Sequence, residues 1–293
     1  MSVVRFLVGQ FRGAPSKRSF LRSLRLGSQG GSDEVRSADG TAISMRRSGT
    51  GPALVMVHGT LDGMGAWAFV EPPFGQEFTV SVYDRRGRGG SGDTDPWSIE
   101  REVDDLAAVV AATGGPTHVV AHSFGAVIAM RACLAGVPMR SLVLYEPPMN
   151  GDAISQARLE EIGQLVERED FDTAIRTMAQ QLAGVSDDEI AVALSVPPVR
   201  KALRDGVRTA PREIEALRSL EWGGLPIRGT PVLLVHGGLT DVAAYPRPDQ
   251  TESIAADIEI VEIPGQRHLA HTFAPSSFVT PVAGFLRRHT QGD

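Results

Sequence analysis

The sequence predicts an α/β fold: a mostly parallel sheet with helices on both faces and a helical segment inserted between two of its strands. Three observations lead there. Short, wholly apolar runs alternate with amphipathic stretches, which is how buried parallel strands joined by crossover helices read. One run, Val119-Val120-Ala121, passes through His122 into Ser123 and then into a helix of small and aliphatic residues. Residues 149–222 break the rhythm, because they contain helical patterns and no convincing strand.

Each element follows in order. Ala38-Asp39-Gly40-Thr41 is a hairpin turn leading to Ala42-Ile43-Ser44-Met45, with a second turn at Gly49-Thr50-Gly51-Pro52. Buried strands are expected at Ala53 to Val57, Phe78 to Tyr83, Thr117 to Ala121, Ser141 to Leu144, Pro231 to Val235 and Ile258 to Ile263. Between them, Ser98 to Ala112 carries apolar residues at Ile99, Val103, Leu106, Val109 and Val110. Ser98 is its N-cap, and Glu100 and Glu102 stand in the first turn, where the helix dipole favours acids. Further helices are expected at Ser123 to Leu134 and Phe278 to Arg288, and within the insertion at Ser155 to Glu167, Phe171 to Leu182, Asp187 to Leu194 and Pro211 to Leu220. The expected organisation is a core of residues 36–148 and 223–293, a helical cap of residues 149–222, and a basic, flexible extension of residues 1–35 in which Arg5, Arg12, Lys17, Arg18, Arg22 and Arg25 precede the first acid.

Composition sets outer bounds. A chain of 293 residues with 42% hydrophobic and 22% charged residues can bury one sizeable core and carry an insertion. The net charge of -6 speaks against a nucleic-acid surface. The single cysteine, Cys133, excludes an intrachain disulfide and falls on the helix that follows Ser123, as a buried thiol. No apolar run is long enough for a bilayer, so no stable membrane insertion is expected, and the expected location is the cytoplasm. Oligomeric state is open.

The chemistry centres on Ser123. A tight strand-to-helix turn strains its central residue, pushes that side chain out of the sheet and needs small neighbours two positions either side, here Ala121 and Gly125. Serine needs a base, and the base an orienting acid. Of the seven histidines, His268 follows the last strand on a loop at the C-terminal edge of the sheet. His271, one turn on, is a surface or supporting residue; an H-x-x-H metal site lacks a third ligand, and no metal or cofactor is expected. The acid is expected at Asp241, past the strand at Val232 to Val235, with Glu146, directly after Leu142 to Tyr145, as the alternative. Oxyanion donors are expected from the backbone N–H groups of Thr60 and Phe124, while His58 is structural. Substrate-lining residues are expected at Trp67, Met149, Trp222 and Phe273. Gly87-Arg88-Gly89-Gly90-Ser91-Gly92 fits G-x-G-x-x-G literally, but no helix opens on it and no acid-tipped strand follows, so it reads as a crossover loop.

Taken together, His58-Gly59, Asp84 to Gly92, Ala121-His122-Ser123-Phe124-Gly125, Gly238-Leu239-Thr240-Asp241 and Pro264-Gly265-Gln266-Arg267-His268 resemble the α/β-hydrolase family over residues 36–293. The likeness is to the small soluble esterases, lactonases and cofactor-free perhydrolases of bacteria. It implies an eight-stranded sheet with a cap after the sixth strand, and a serine hydrolase acting through an acyl-enzyme on a small or medium uncharged carboxylic ester or lactone. Alternatives are a perhydrolase or hydroxynitrile-lyase use of the same residues, or a non-catalytic module that holds a small ligand. Two departures stand out: Ala121 replaces a glycine, and Arg267 stands where glycine commonly precedes the histidine, setting a cation beside His268.

Overall fold

The computed structural model describes residues 33–182, 184–246, 251 and 253–290; most of the basic extension lies outside the described residues. An open eight-stranded sheet forms its centre: β1 (Asp33–Arg36), β2 (Ala42–Ser48), β3 (Ala53–Val57), β4 (Thr79–Tyr83), β5 (Thr117–His122), β6 (Met139–Tyr145), β7 (Val232–Gly237) and β8 (Ile258–Ile263). Their order is β1-β2-β4-β3-β5-β6-β7-β8. β1 and β2 pair antiparallel, and β3 to β8 run parallel. β1 begins at Asp33, inside the stretch expected to be flexible; its Asp-Glu-Val-Arg has only Val35 half-buried against the core, and so lacks the apolar run that marks the inner strands.

The helices are α1 (Glu71–Phe74), α2 (Ile99–Ala112), α3 (Phe124–Leu134), α4 (Gln156–Glu167), α5 (Phe171–Leu182), α6 (Asp187–Ser195), α7 (Pro197–Val207), α8 (Ala210–Arg218), α9 (Ala270–Phe273) and α10 (Pro275–Arg288). None is long and apolar enough to cross a membrane. Ser98 caps α2 as its sequence suggests, accepting the Arg101 N–H at 3.3 Å. α7 has no sequence-based counterpart. Its paired prolines sit in the first turn, where the missing N–H costs nothing.

The wholly apolar strands have a direct structural cause. Successive side chains point to opposite faces, and both faces are covered. Val55 and Val57 therefore join the core with Val119, Ala121, Leu142 and Leu144 on one face. Leu54 and Met56 join Val120, Val143 and Val235 on the other. The inserted helices α4 to α8 have an apolar cluster of their own, including Ile162, Ile175, Met178, Ile190 and Ile214.

Buried arginines tie the crossover loop after β4 to its surroundings. Arg85 pairs with Glu102 of α2 at 2.8 Å and with Glu213 of α8 at 2.7 Å, and Arg86 pairs with Asp105 at 2.7 Å. Burial alone would lower the Arg85 pKa, but the two glutamates outweigh it and raise it. The Gly90 N–H donates to Asp84 Oδ2 at 2.9 Å, so this loop folds around its own carboxylate and does not present its amides to a phosphate.

Candidate active site

Ser123 sits between the end of β5 and the first turn of α3, with φ 53° and ψ -127°. That left-handed φ is strained for a residue with a Cβ, and it persists because the flanking strand and helix over-determine it. Gly125 makes the turn possible. A Cβ there would stand 2.4 Å from the His58 carbonyl oxygen and 2.6 Å from that of Val57. The Ser123 N–H donates to the Tyr145 carbonyl at 2.9 Å, which docks the turn on β6.

His268 lies on the loop between β8 and α9, with 3% of its surface exposed. Its Nδ1 is 2.6 Å from Glu146 Oε2. Glu146 is the residue directly after β6, with φ 46°. Its other oxygen accepts the Gly237 N–H at 2.8 Å, so both carboxylate oxygens are held. Burial alone would raise the Glu146 pKa. The hydrogen bond and charge of His268, together with the Gly237 N–H, hold it below the usual carboxylate range.

This corrects the expectation for Asp241. That residue is exposed and lies beyond the end of β7, while Glu146 takes the imidazole. The reason is register: His122 pairs with Tyr145, so Ser123 and Glu146 stand side by side at neighbouring strand ends. Arg267 likewise is not aimed at the ring, since its Nη1 donates to the Leu239 carbonyl at 3.0 Å on the surface.

Tyr245, in the loop after β7, was not anticipated. Its hydroxyl is 3.1 Å from His268 Nε2, and its ring stacks on the imidazole with centroids 4.6 Å apart and planes at 23°. The same hydroxyl is hydrogen-bonded to the Ser123 side chain. Burial, reinforced by the Glu146 charge, pushes its pKa well above the usual value, so it is a neutral phenol.

The His58-Gly59-Thr60 loop passes against the serine: an added Cβ at Gly59 would be 3.1 Å from Ser123 Cβ. His58 is structural, as its sequence position suggests, with Nε2 accepting the Arg85 N–H at 3.1 Å. The Gly59 carbonyl lies 2.9 Å from His58 Nδ1 and accepts Arg85 Nη1 at 3.2 Å. Thr60 N–H belongs to the same trans peptide and points the opposite way. Arg88 binds the Thr60 carbonyl at 2.6 Å and Glu213 at 2.7 Å, which links this loop to α8.

A cavity of about 160 Å³ opens at Ser123 and His268. Its walls include Leu61, Ile175, Met178, Ile190, Leu217 and Phe273, so the inserted helices supply much of it. Among the described residues no lysine or arginine lines it. Asp62 does, with its pKa raised to about 6 by burial, against the opposing charges of His268, Arg88 and Arg85. Of the expected lining residues, Phe273 is on the cavity. Trp67 is fully buried, tilted on His271 at 5.2 Å. Met149 and Trp222 pack against the sheet core, and none of these three reaches the cavity. The Phe124 ring is fully buried beneath Trp97 and the Arg85 guanidinium, so any part it plays here falls to its backbone N–H.

The sequence profile of the alpha/beta hydrolase family matches residues 54–280, and the chain belongs to that family. It is 37% identical over 111 residues to N-formylmaleamate deformylase of Pseudomonas putida, a stretch covering 36% of this chain and 41% of that protein. It is 33% identical over 116 residues to Lipase LipV of Mycobacterium tuberculosis, covering 39% and 43%. The chain thus matches less than half the length of these curated relatives. Among solved structures, an alpha/beta hydrolase from Sphaerobacter thermophilus superposes with a TM-score of 0.74 at 28% identity, covering 87% of this chain and 100% of that one. The enol-lactonase from Burkholderia xenovorans gives 0.72 at 17% identity, covering 87% and 100%, a likeness of fold.

Proposed function

We propose that this protein is a serine hydrolase that cleaves a small, uncharged carboxylic ester or lactone through a Ser123–His268–Glu146 triad. The observation that carries the reading is the strained Ser123 turn, set beside a buried imidazole whose Nδ1 is held at 2.6 Å by a carboxylate. Family membership, with a deformylase and a lipase among the relatives, supports hydrolysis as the reaction type.

In this mechanism the Glu146 carboxylate accepts Nδ1–H and so fixes the tautomer in which Nε2 carries the lone pair. Ser123 Oγ attacks the acyl carbon while Nε2 takes its proton. The developing oxyanion is held by the N–H groups of Thr60 and Phe124; the arginine-braced Gly59–Thr60 peptide cannot swing away, which is the preorganisation such donors need. The imidazolium then protonates the leaving oxygen, and the ester C–O bond breaks to give acyl-enzyme and alcohol. Water enters on the same side, loses a proton to His268 and releases the acid. Tyr245, 3.1 Å from Nε2, stands on this leaving-group and water side and donates a hydrogen bond to the oxygen there.

The cavity supports the substrate class. About 160 Å³ accommodates a group near the size of a benzene ring. Walls that are apolar and carry an acid, with no cation among the described residues, favour a neutral acyl group over an anionic one. A panel of short-chain and aryl esters, lactones and thioesters, run on wild type and Ser123→Ala together, tests the reading. Turnover of neutral esters or lactones by wild type, lost by several orders of magnitude in the variant, is the expected result. Equal turnover by both would overturn it.

A further inference from the structure

Three side chains beside the serine have no part in that mechanism. His122 and His271 are 2% and 1% exposed, their rings are 4.6 Å apart, and the Nδ1 atom of each is buried without a hydrogen-bond partner. Asp62 lies beside them, with Oδ2 3.9 Å from His122 Nδ1. One donor atom from each of the three residues falls within a group no more than 4.8 Å across. Two buried imidazole nitrogens left bare are costly, about 1–3 kcal/mol each, unless something outside the chain satisfies them.

We propose that Asp62, His122 and His271 form a binding site for a divalent cation of the zinc class, distinct from the Ser123–His268–Glu146 machinery.

His122 is prepared for this role. Its Nε2 is 2.9 Å from the His268 carbonyl, an acceptor only, so Nε2 carries the hydrogen and Nδ1 presents a lone pair. A ligating imidazole whose other N–H is tied to a backbone carbonyl is the recurrent outer arrangement of metal sites. The space in front of Nδ1 exists because residue 59 is glycine: a Cβ there would stand 3.2 Å from that nitrogen. Two imidazoles and one carboxylate, with further positions open, suit zinc rather than magnesium or calcium, which take mostly oxygen. Bonds of about 2.0–2.1 Å to the metal put donors roughly 3.4 Å apart, so the group must close by up to about 1.4 Å. Asp62 can do this, because its side chain is 27% exposed and lines the cavity. The same opening is the route of entry, since Asp62 and His122 both face it. A cation held here stands one residue from Ser123 and changes the wall that the acyl group meets.

The proposal does not depend on which acyl bond the protein cleaves. Its test is calorimetric titration of the metal-free full chain with Zn²⁺, and visible absorption on adding Co²⁺, in wild type and His271→Gln. Expected are one Zn²⁺ per chain, a Co²⁺ d–d band that Zn²⁺ displaces, and binding at least tenfold weaker in His271→Gln. No Co²⁺ band and no heat in the folded wild type would overturn the proposal, as would equal affinity in the two proteins. Should His271→Gln fail to fold, imidazole ¹⁵N spectra of the wild type carry the same test. Zn²⁺ must move His122 and His271 while leaving His118 in place, and shifts confined to His236 or His289 would sink the idea.

Discussion

Replacing Glu146 by Gln tests the assignment of the acid, and its size can be worked out from the contacts. Both carboxylate oxygens are engaged, one with the Gly237 N–H at 2.8 Å and one with His268 Nδ1 at 2.6 Å. A glutamine keeps one oxygen, and the buried Gly237 N–H requires an acceptor. The amide NH₂ is then forced against Nδ1, which must become the acceptor, leaving the hydrogen on Nε2. Nε2 can no longer take the proton from Ser123. Loss of this tautomer costs on the order of 10⁴ in kcat in a comparable triad, or about 5.5 kcal/mol of transition-state stabilisation. The assay is kcat/KM on a neutral aryl ester, with circular dichroism to confirm the fold. Asp241→Asn, at an exposed position, should keep kcat/KM within about twofold; surface changes of this kind shift energies by no more than ~0.5 kcal/mol. If Asp241→Asn is as damaging as Glu146→Gln, or if Glu146→Gln stays within tenfold of wild type, the assignment is wrong.

Further outcomes follow from the same contacts. Tyr245→Phe removes a hydroxyl 3.1 Å from His268 Nε2 and should lower kcat about 10–100-fold with little change in KM, because the lost bond matters to the transferring oxygen and not to the acyl pocket; steady-state kinetics on several acyl chain lengths would check it. Gly125→Ala drives a Cβ to 2.4 Å from a backbone oxygen and should destabilise by about 3 kcal/mol in urea unfolding, with loss of turnover. His118 is fully buried, 2.8 Å from Ser141 Oγ and 3.1 Å from Thr290 Oγ1, and burial, helped by Arg140 and His289, lowers its pKa to about 4. Below the ordinary value of 6.5 the unfolded chain takes a proton that the folded one refuses, so stability falls as pH drops from 6.5 to 4. From pH 7 to pH 4 this group alone should cost about 3 kcal/mol, and His118→Gln should flatten the urea-measured pH dependence by that amount.

Much of the fold is legible in the chain because burial on both faces leaves a plain mark: Leu54 and Met56 face one core and Val55 and Val57 the other, so every residue of that strand must be apolar. The Ser123 turn is equally legible, since a strained strand-to-helix turn demands small residues at fixed offsets. The carboxylate that holds His268 is not. Glu146 and Asp241 both follow strands, and only the pairing of His122 with Tyr145 reveals which stands beside the serine. The immediacy of Glu146 at its strand end, against the three residues separating Asp241 from Gly237, is the one sequence signal that favours it. Trp67, Met149 and Trp222 illustrate a second limit: an apolar side chain near a strand end reads the same whether it fills the core or lines a cavity. Tyr245 left no periodic or spacing signal, because its place is set by the tertiary path of a loop.

The central claim is that Ser123 is a nucleophile activated by His268. It is tested most directly by treating the full chain with a fluorophosphonate and mapping the adduct by mass spectrometry. The account predicts one stoichiometric adduct on the peptide carrying Ser123, appearing in step with loss of ester turnover, and none in Ser123→Ala. Full turnover by Ser123→Ala, or an unlabelled Ser123 in an enzyme that hydrolyses esters, would contradict it.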